Sequence, residues 1–185
     1  MHTFMYKQSS AYHTMFVKHT KRGITVLIIY VDDMVATGDD LEEISKLKHQ
    51  LATKFGIKDI RKLRYFLGIE VARSNAGIFI SLRKYILDLL EETGMLGCRP
   101  TDTPIEANHR MGDTEGAPVD LERYQRLVGK LIYLSHTWPD IGYAASVLSQ
   151  FMHKPRTGHL EAMFRVLRYL KSSPGKGVLF TNNGH

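Results

Sequence analysis

Ile24-Thr-Val-Leu-Ile-Ile-Tyr-Val31, bounded by Gly23 and by the pair Asp32-Asp33, is the stretch that decides how the chain is read. A continuous β-branched and apolar run of this kind is expected to be a strand buried on both faces. Two carboxylates at the end of such a strand are costly to desolvate unless water, a partner or a cation meets them. A divalent metal would do so, because hard Mg²⁺ takes oxygen ligands and is held by one or two carboxylates plus substrate phosphates. Adjacent strand residues point to opposite faces, so Asp32 and Asp33 can share one ion only if the backbone turns at the pair. A tight turn there would supply part of the arrangement used in two-metal phosphoryl transfer. Ordinary turn chemistry also places Asp in hairpins, so the dipeptide alone leaves both readings open.

Outward from this run, Asp39 and Asp40 offer an N-cap to a helix in which Leu41, Ile44, Leu47 and Leu51 recur at helical spacing until Gly56. Tyr65–Ala72 and Gly77–Ser81 are β-like runs, and Arg73-Ser-Asn-Ala76 between them suits a hairpin. From Lys84 the period becomes helical, with Ile86, Leu87, Leu89 and Leu90 ahead of Gly94, and the Pro- and Gly-containing Arg99–Pro118 reads as a connector between subdomains. Asp120 is placed to cap a helix with a wide apolar face of Leu121, Tyr124, Leu127, Val128, Leu131, Ile132 and Leu134. Pro139 suits the first position of the next helix, and Thr157–Lys171 reads as one more, with Leu160, Met163, Phe164, Leu167 and Leu170 inward. The expected class is α+β: antiparallel strands with a packed helix over residues 1–81, then a mostly helical region over 82–185. Gly177–Phe180 is strand-like with no obvious partner, from which a continuation of the domain past His185 is expected. No repeat or low-complexity tract is present, which removes solenoid architectures.

With 185 residues, 43% of them hydrophobic, the chain can bury a real core. No apolar run approaches the ~20 residues that cross a bilayer, and the first residues lack the apolar stretch of a secretory signal. A soluble, intracellular chain with no membrane partner is expected. Cys98 is the sole cysteine, which excludes an internal disulfide and a multi-thiolate zinc site. None of the nine histidines forms a short ligand pair with a carboxylate on one helix face. Lys and Arg number 25 against 19 Asp and Glu, and the resulting positive field favours polyanionic partners, although an excess this small also suits an ordinary solvated surface.

Ile28-Ile-Tyr-Val-Asp-Asp-Met34, followed by Gly38-Asp-Asp40, resembles the catalytic palm hairpin of reverse transcriptases, whose signature is an aromatic residue, a variable residue and two aspartates. The chain is further similar to the Ty1/copia class of retrotransposon enzymes at an ordered series of stretches. These are Tyr65-Phe-Leu-Gly-Ile-Glu-Val71, Lys84-Tyr-Ile-Leu-Asp-Leu-Leu90, Gly94-Met-Leu-Gly-Cys98, Thr103-Pro104, Tyr124-Gln-Arg-Leu-Val-Gly-Lys-Leu-Ile-Tyr-Leu134, Pro139-Asp140, Ser149-Gln-Phe-Met-His153 and Leu167-Arg-Tyr-Leu-Lys171.

The resemblance implies a partial polymerase palm over 1–81 and a thumb-like helical region, leading toward a ribonuclease H domain, over 82–185. It implies that Asp32 and Asp33 are catalytic and hold Mg²⁺ or Mn²⁺, and that Tyr30 lies beside the primer end and template. Tyr65, Phe66, Leu67 and Gly68 would belong to the primer grip, with Gly68 allowing close backbone approach; an ordinary hairpin arm with a bulge is the plain alternative. Lys58, Arg61, Lys62, Arg64, Lys130, Arg165, Arg168 and Lys171 suit a duplex-facing rim as a set, of which Lys130, Arg165, Arg168 and Lys171 are the candidates, while each singly suits a solvated face. Tyr124, Tyr133, Phe164 and Tyr169 fall on apolar helix faces and read as core rather than base-stacking platforms. The implied partners are an RNA template with a DNA primer, deoxynucleotides, and the remainder of a Pol polyprotein, in a cytoplasmic particle or the nucleus.

Three positions depart from the family pattern: Tyr12 stands where Asp is common, Arg61 where glycine is usual, and Trp138 where arginine precedes Pro139-Asp140. The family also uses a further metal-binding aspartate and a nucleotide-binding surface upstream of the acidic pair. These 185 residues alone are therefore expected to be inactive as an RNA-directed DNA polymerase, since positioning can account for ~7–11 kcal/mol of a barrier. The alternatives are a non-catalytic nucleic-acid-binding module and an unselected relic of a retroelement.

Overall fold

In the computed structural model, which describes residues 5–31, 33–56, 62–106 and 116–181, the apolar run forms strand β3 (Gly23–Tyr30). It lies between β2 (Met15–Thr20) and β4 (Asp33–Gly38), and β1 (Lys7–Gln8) extends the sheet beyond β2. All three pairings are antiparallel. Residues opposite one another in such a ladder share a face. The registers Phe16↔Leu27, Leu27↔Ala36 and Ile29↔Met34 therefore gather Phe16, Leu27, Ile29 and Ala36 on one side. Helix α1 (Leu41–Phe55) packs there, and Tyr6, Leu27, Leu47 and Leu51 form the buried core between them.

The local chemistry of α1 follows the sequence. Asp40 accepts from the Glu43 N–H at 3.0 Å as N-cap, and Gly56 closes the helix at φ 66°. Asp40 also accepts from the Thr20 hydroxyl at 2.5 Å, which ties the helix start to β2. Glu43, buried in the first turn, accepts from Lys18 at 2.7 Å and from the Tyr6 hydroxyl at 3.2 Å, so a carboxylate under the sheet is met by a cation and a phenol. Burial, reinforced by the charge of Glu43, pushes the Tyr6 phenol well above its ordinary range.

β3 is not buried on both faces, contrary to the expectation from its composition. Thr25 and Leu27 are buried, whereas Ile24 is 41% and Tyr30 49% exposed. The physical reason lies in the pairing: the sheet is antiparallel, and α1 is the one helix described in this part of the chain, so one face only is covered. The other face carries Val17, Val26, Ile28 and Val35 as half-buried residues between the better exposed ends.

From Arg64 onward the chain forms a second compact unit; the first ends at Leu63. Its sheet runs β5 (Tyr65–Phe66), β6 (Ile69–Ser74), β7 (Gly77–Ser81) and β8 (Gly177–Phe180), all antiparallel. The stretch Tyr65–Ala72, read as one strand, is two: the chain reverses at Leu67 and Gly68, with φ 51° and 87°. The hairpin between β6 and β7 closes between Ser74 and Gly77, as the turn formers suggest. β8 has a partner after all, pairing with β7 from Ile78↔Phe180 to Ser81↔Gly177. Periodicity could not reveal a ladder whose two strands stand so far apart in sequence.

Helices α2 (Arg83–Glu92), α3 (Leu121–Ser135), α4 (Gly142–Ser149) and α5 (Thr157–Ser172) complete this unit, with Pro139–Ile141 as a 3₁₀ turn ahead of α4. Asp120 caps α3 by accepting from the Arg123 N–H at 2.9 Å. Leu127, Leu131, Leu134, Leu148, Met163 and Leu170 are among the side chains of one core shared by the four helices. The apolar face of α3 is narrower than its sequence suggests, since Leu121 and Ile132 are each 42% exposed. Leu82 is buried in the helical core and Ile69 packs against it, which joins the β5–β8 sheet to the helices. The compact units divide at Leu63/Arg64. Both are α+β, with five helices and two antiparallel sheets among the described residues.

Candidate functional site

β3 and β4 join by a minimal hairpin in which Tyr30 pairs directly with Asp33. Such hairpins call for positive φ at their central positions. Val31 has φ 50°, a conformation that β-branched residues seldom adopt, and it is 81% exposed. Asp33 opens β4, exposed, on the sheet face away from α1 and directly across from the half-exposed Tyr30. The reversal is complete at Asp33, which stands in the ladder rather than in the turn. Asp32, the other expected metal-site residue, lies outside the described residues. Asp33 is exposed and offers the kind of hard oxygen donor that Mg²⁺ or Mn²⁺ takes. Among the described residues no group of three or more His, Cys, Asp or Glu side chains gathers around a common point.

In the second unit, Tyr65 on β5 is 53% exposed and Phe66 half-buried, and the Leu67–Gly68 turn follows them. This turn rests on helices. The Leu67 carbonyl accepts a hydrogen bond from the Tyr133 hydroxyl of α3. A Cβ added at Gly68 would lie 3.5 Å from Tyr85 and 3.6 Å from Leu82, and the φ of Gly68 is one that glycine adopts freely. Tyr133 also leans on Tyr85, with ring centroids 5.3 Å apart. Burial pushes the Tyr85 phenol above its ordinary value, with the Tyr133 phenol adding to it.

Three of the four basic candidates, Lys130, Arg165 and Lys171, are engaged within the fold. Lys130 bonds to Glu92, with Arg126 3.4 Å from the same carboxylate, and the Lys130 contact holds the Glu92 carboxyl below its ordinary range. Arg165 donates to Glu106 at 2.8 Å and to Thr103 at 3.1 Å. Lys171 donates to the Cys98 carbonyl at 2.5 Å. These contacts brace α5 against the segment 98–106. Arg168 lines an open cleft with Met95, Cys98, Arg99, Glu161 and Phe164. Lys58 and Arg61 lie outside the described residues.

Of the aromatics read as core, Tyr124 is fully buried and donates to the Leu148 carbonyl at 2.9 Å. Tyr133 is only half-buried and faces the β5–β6 turn, a role its helical spacing gave no sign of. Trp138, one of the departures from the family pattern, is 2% exposed and meets Tyr169 edge-on with centroids 6.1 Å apart. The neighbouring Asp140 accepts from Tyr169 at 3.0 Å and from Lys176, and Lys176, the first cause, keeps its carboxyl below the ordinary range.

Residues 1–107 match the family model described as reverse transcriptase (RNA-dependent DNA polymerase). The chain is 40% identical over 166 residues to the retrovirus-related Pol polyprotein from transposon RE1 of Arabidopsis thaliana, covering 89% of this chain and 11% of that protein. The corresponding polyprotein from transposon TNT 1-94 of Nicotiana tabacum is 32% identical over 176 residues, with 89% and 13% covered. An uncharacterized mitochondrial protein of Arabidopsis thaliana is 35% identical over 157 residues, with 85% and 65% covered. The chain spans about a tenth of the length of the Pol polyproteins. No solved structure matches.

Proposed function

The chain belongs to the reverse transcriptase (RNA-dependent DNA polymerase) family and corresponds to part of a retrotransposon Pol polyprotein, and we propose that it carries the acidic hairpin of the palm, the primer-grip turn and the beginning of the thumb. The observation that carries this reading is the placement of Asp33 beside Tyr30 at the end of a tight hairpin, exposed on the sheet face that α1 leaves uncovered. Asp32 and Asp33 would hold Mg²⁺ or Mn²⁺, which when bound stabilises charge on the phosphoryl oxygens. Tyr30 would lie against the primer end and template. Tyr65, Phe66, Leu67 and Gly68 would set the position of the primer strand, and near-attack alignment of this sort is a large share of phosphoryl-transfer catalysis. An RNA template with a DNA primer, and deoxynucleotides, are the substrates on this reading, in an intracellular setting.

Arg168, in a cleft with Arg99 and Glu161, is better placed for a phosphate backbone than Lys130 and Arg165, whose charges are met by Glu92 and Glu106, or Lys171, which donates to the Cys98 carbonyl. A role in duplex binding alone is for that reason the weaker reading.

The test is primer extension on an RNA template with Mg²⁺ or Mn²⁺. In a longer Pol polypeptide containing this chain, Asp33→Asn should lower extension by about 10³-fold, the scale of losing a main electrostatic contact to the transition state. Full activity of that variant would overturn the assignment. The 185 residues alone should extend the primer negligibly, because the family chemistry asks for a further carboxylate; Asp32-dependent synthesis by them would overturn that part.

A further inference from the structure

We infer that Tyr133 is a positioning residue: its hydroxyl, reaching from α3, fixes the orientation of the peptide between Leu67 and Gly68 and so presets the primer-grip turn. The inference rests on the primer-grip reading for its use, though not for its geometry.

The turn is strained at its first position, where Leu67 takes φ 51° without the freedom of glycine. A two-residue hairpin also leaves the central peptide outside the ladder, since the pairing closes at Phe66↔Ile69. That peptide could flip unless something outside the hairpin holds it. Tyr133 supplies the hold by donating to the Leu67 carbonyl. In a planar trans peptide the C=O and the next N–H point to opposite sides. Holding the Leu67 carbonyl toward α3 therefore turns the Gly68 N–H away from α3, free to meet an acceptor brought to the turn. The absence of a side chain at Gly68 lets the turn sit close on Tyr85 and Leu82 in this conformation.

The ring behind the hydroxyl is packed between aromatic neighbours. The Tyr133 ring is tilted by 56° against Tyr85, 5.3 Å away, and meets His136 edge-on at 6.3 Å. Tyr85 and Leu82 lie directly under Gly68. One helix end and one hairpin turn are thus joined through two aromatic rings and a single hydrogen bond. The acceptor chemistry that fits a lone backbone N–H at a glycine turn is an anionic oxygen, and on the proposed function it is a phosphate of the primer strand near its 3′ end.

The experiment uses the whole 185-residue chain and the variant Tyr133→Phe, which deletes the hydroxyl and keeps the ring packed on Tyr85. Amide hydrogen exchange is followed at Phe66 and Ile69, the pair that closes the turn. Binding is followed by fluorescence anisotropy with two labelled RNA–DNA hybrids, one with a recessed DNA 3′ end and one blunt. Loss of one hydrogen bond should loosen the turn and speed exchange at Ile69, whose amide closes it, by about three- to tenfold, and weaken binding to the recessed hybrid by a similar factor, with the blunt hybrid unchanged. A structural role alone would not separate the two hybrids. Wild-type exchange at Ile69 in Tyr133→Phe overturns the inference. Faster exchange together with no preference for the recessed end in the wild-type chain sustains the role of Tyr133 in the turn and overturns the primer-grip reading instead.

Discussion

The hairpin between Tyr30 and Asp33 and the hairpin at Leu67–Gly68 are built to one plan and supported in opposite ways. Each is a two-residue connection, and each forces an apolar residue to a left-handed φ, 50° at Val31 and 51° at Leu67. Beneath the second lie Leu82, Tyr85 and the Tyr133 hydroxyl. The first projects from its sheet with Val31 81% exposed, held by the β3–β4 ladder that runs from Thr25↔Gly38 to Tyr30↔Asp33. Strain of this sort persists only where the surroundings over-determine it. In the second hairpin that determination comes from tertiary packing; in the first, among the described residues, it comes from the strand register. A turn fixed by packing suits a part that must hold a substrate in place. A turn fixed by register keeps its tip open to whatever binds there.

The largest test of this contrast concerns the cores behind the hairpins. Among the described residues the first unit rests on four buried hydrophobic side chains, so Leu47→Ala, with a typical cost of about 2–5 kcal/mol, should open α1 and the acidic hairpin in hydrogen exchange. Protection in α3 should stay as it is. Equal loss of protection in both would mean that the units do not unfold separately.

Next in size is Gly68→Ala. The added Cβ meets no severe clash, but a left-handed φ at a non-glycine residue costs about 1–2 kcal/mol, and the thermal midpoint of the second unit should fall accordingly. An unchanged midpoint would show that the turn tolerates another backbone conformation.

Val31→Asn should act in the other direction. Asn adopts positive φ readily and the exposed valine has little packing to lose, so a gain of about 0.5–1 kcal/mol is expected in denaturant unfolding. Leu67→Asn should gain less, because Leu67 is only 37% exposed. If both substitutions stabilise equally, the difference in support between the turns disappears.

The smallest effect is acid dependence. The Thr20 hydroxyl, and after it the Glu43 N–H, hold the Asp40 carboxyl below its ordinary value. A carboxyl depressed in the folded state contributes stability that is present above the unfolded value, about pH 4, and is lost as pH falls through that value toward the folded one. Asp40→Asn keeps an N-cap and removes the titration. Its unfolding profile should be flatter than wild type below about pH 4 and parallel to it near neutrality. Equal slopes in both ranges would assign the acid response elsewhere, with Asp140 and Glu92 the depressed carboxyls of the second unit.

Local signals carried much of the fold. The caps at Asp40 and Asp120, the stop at Gly56 and the turn before Gly77 are each decided by a residue and its immediate neighbours, and each is where the sequence places it. Apolar content misled where burial depends on what lies across the sheet: β3 is as hydrophobic as a central strand of a two-sided layer, yet one of its faces is open. Tyr65–Val71 reads as one continuous strand because nothing in its residue types marks Leu67 as a turn position; only Gly68 does. At the candidate site, Asp33 and Tyr30 were legible as an acidic hairpin from the run that precedes them. Tyr133 was not, since a tyrosine that faces a distant turn and one that faces the core have the same spacing along a helix.

The pairing of β7 with β8 also has a consequence for biosynthesis. β7 leaves the ribosome well before β8, with α2, α3, α4 and α5 still to come between them. Until Gly177–Phe180 emerges, the side of β7 away from β6 is an unpaired row of amides and carbonyls flanking Ile78 and Ile80, open to another chain or to a chaperone. Long-range closure of this kind is slow, so the nascent chain is most exposed to misassembly just before β8 is made.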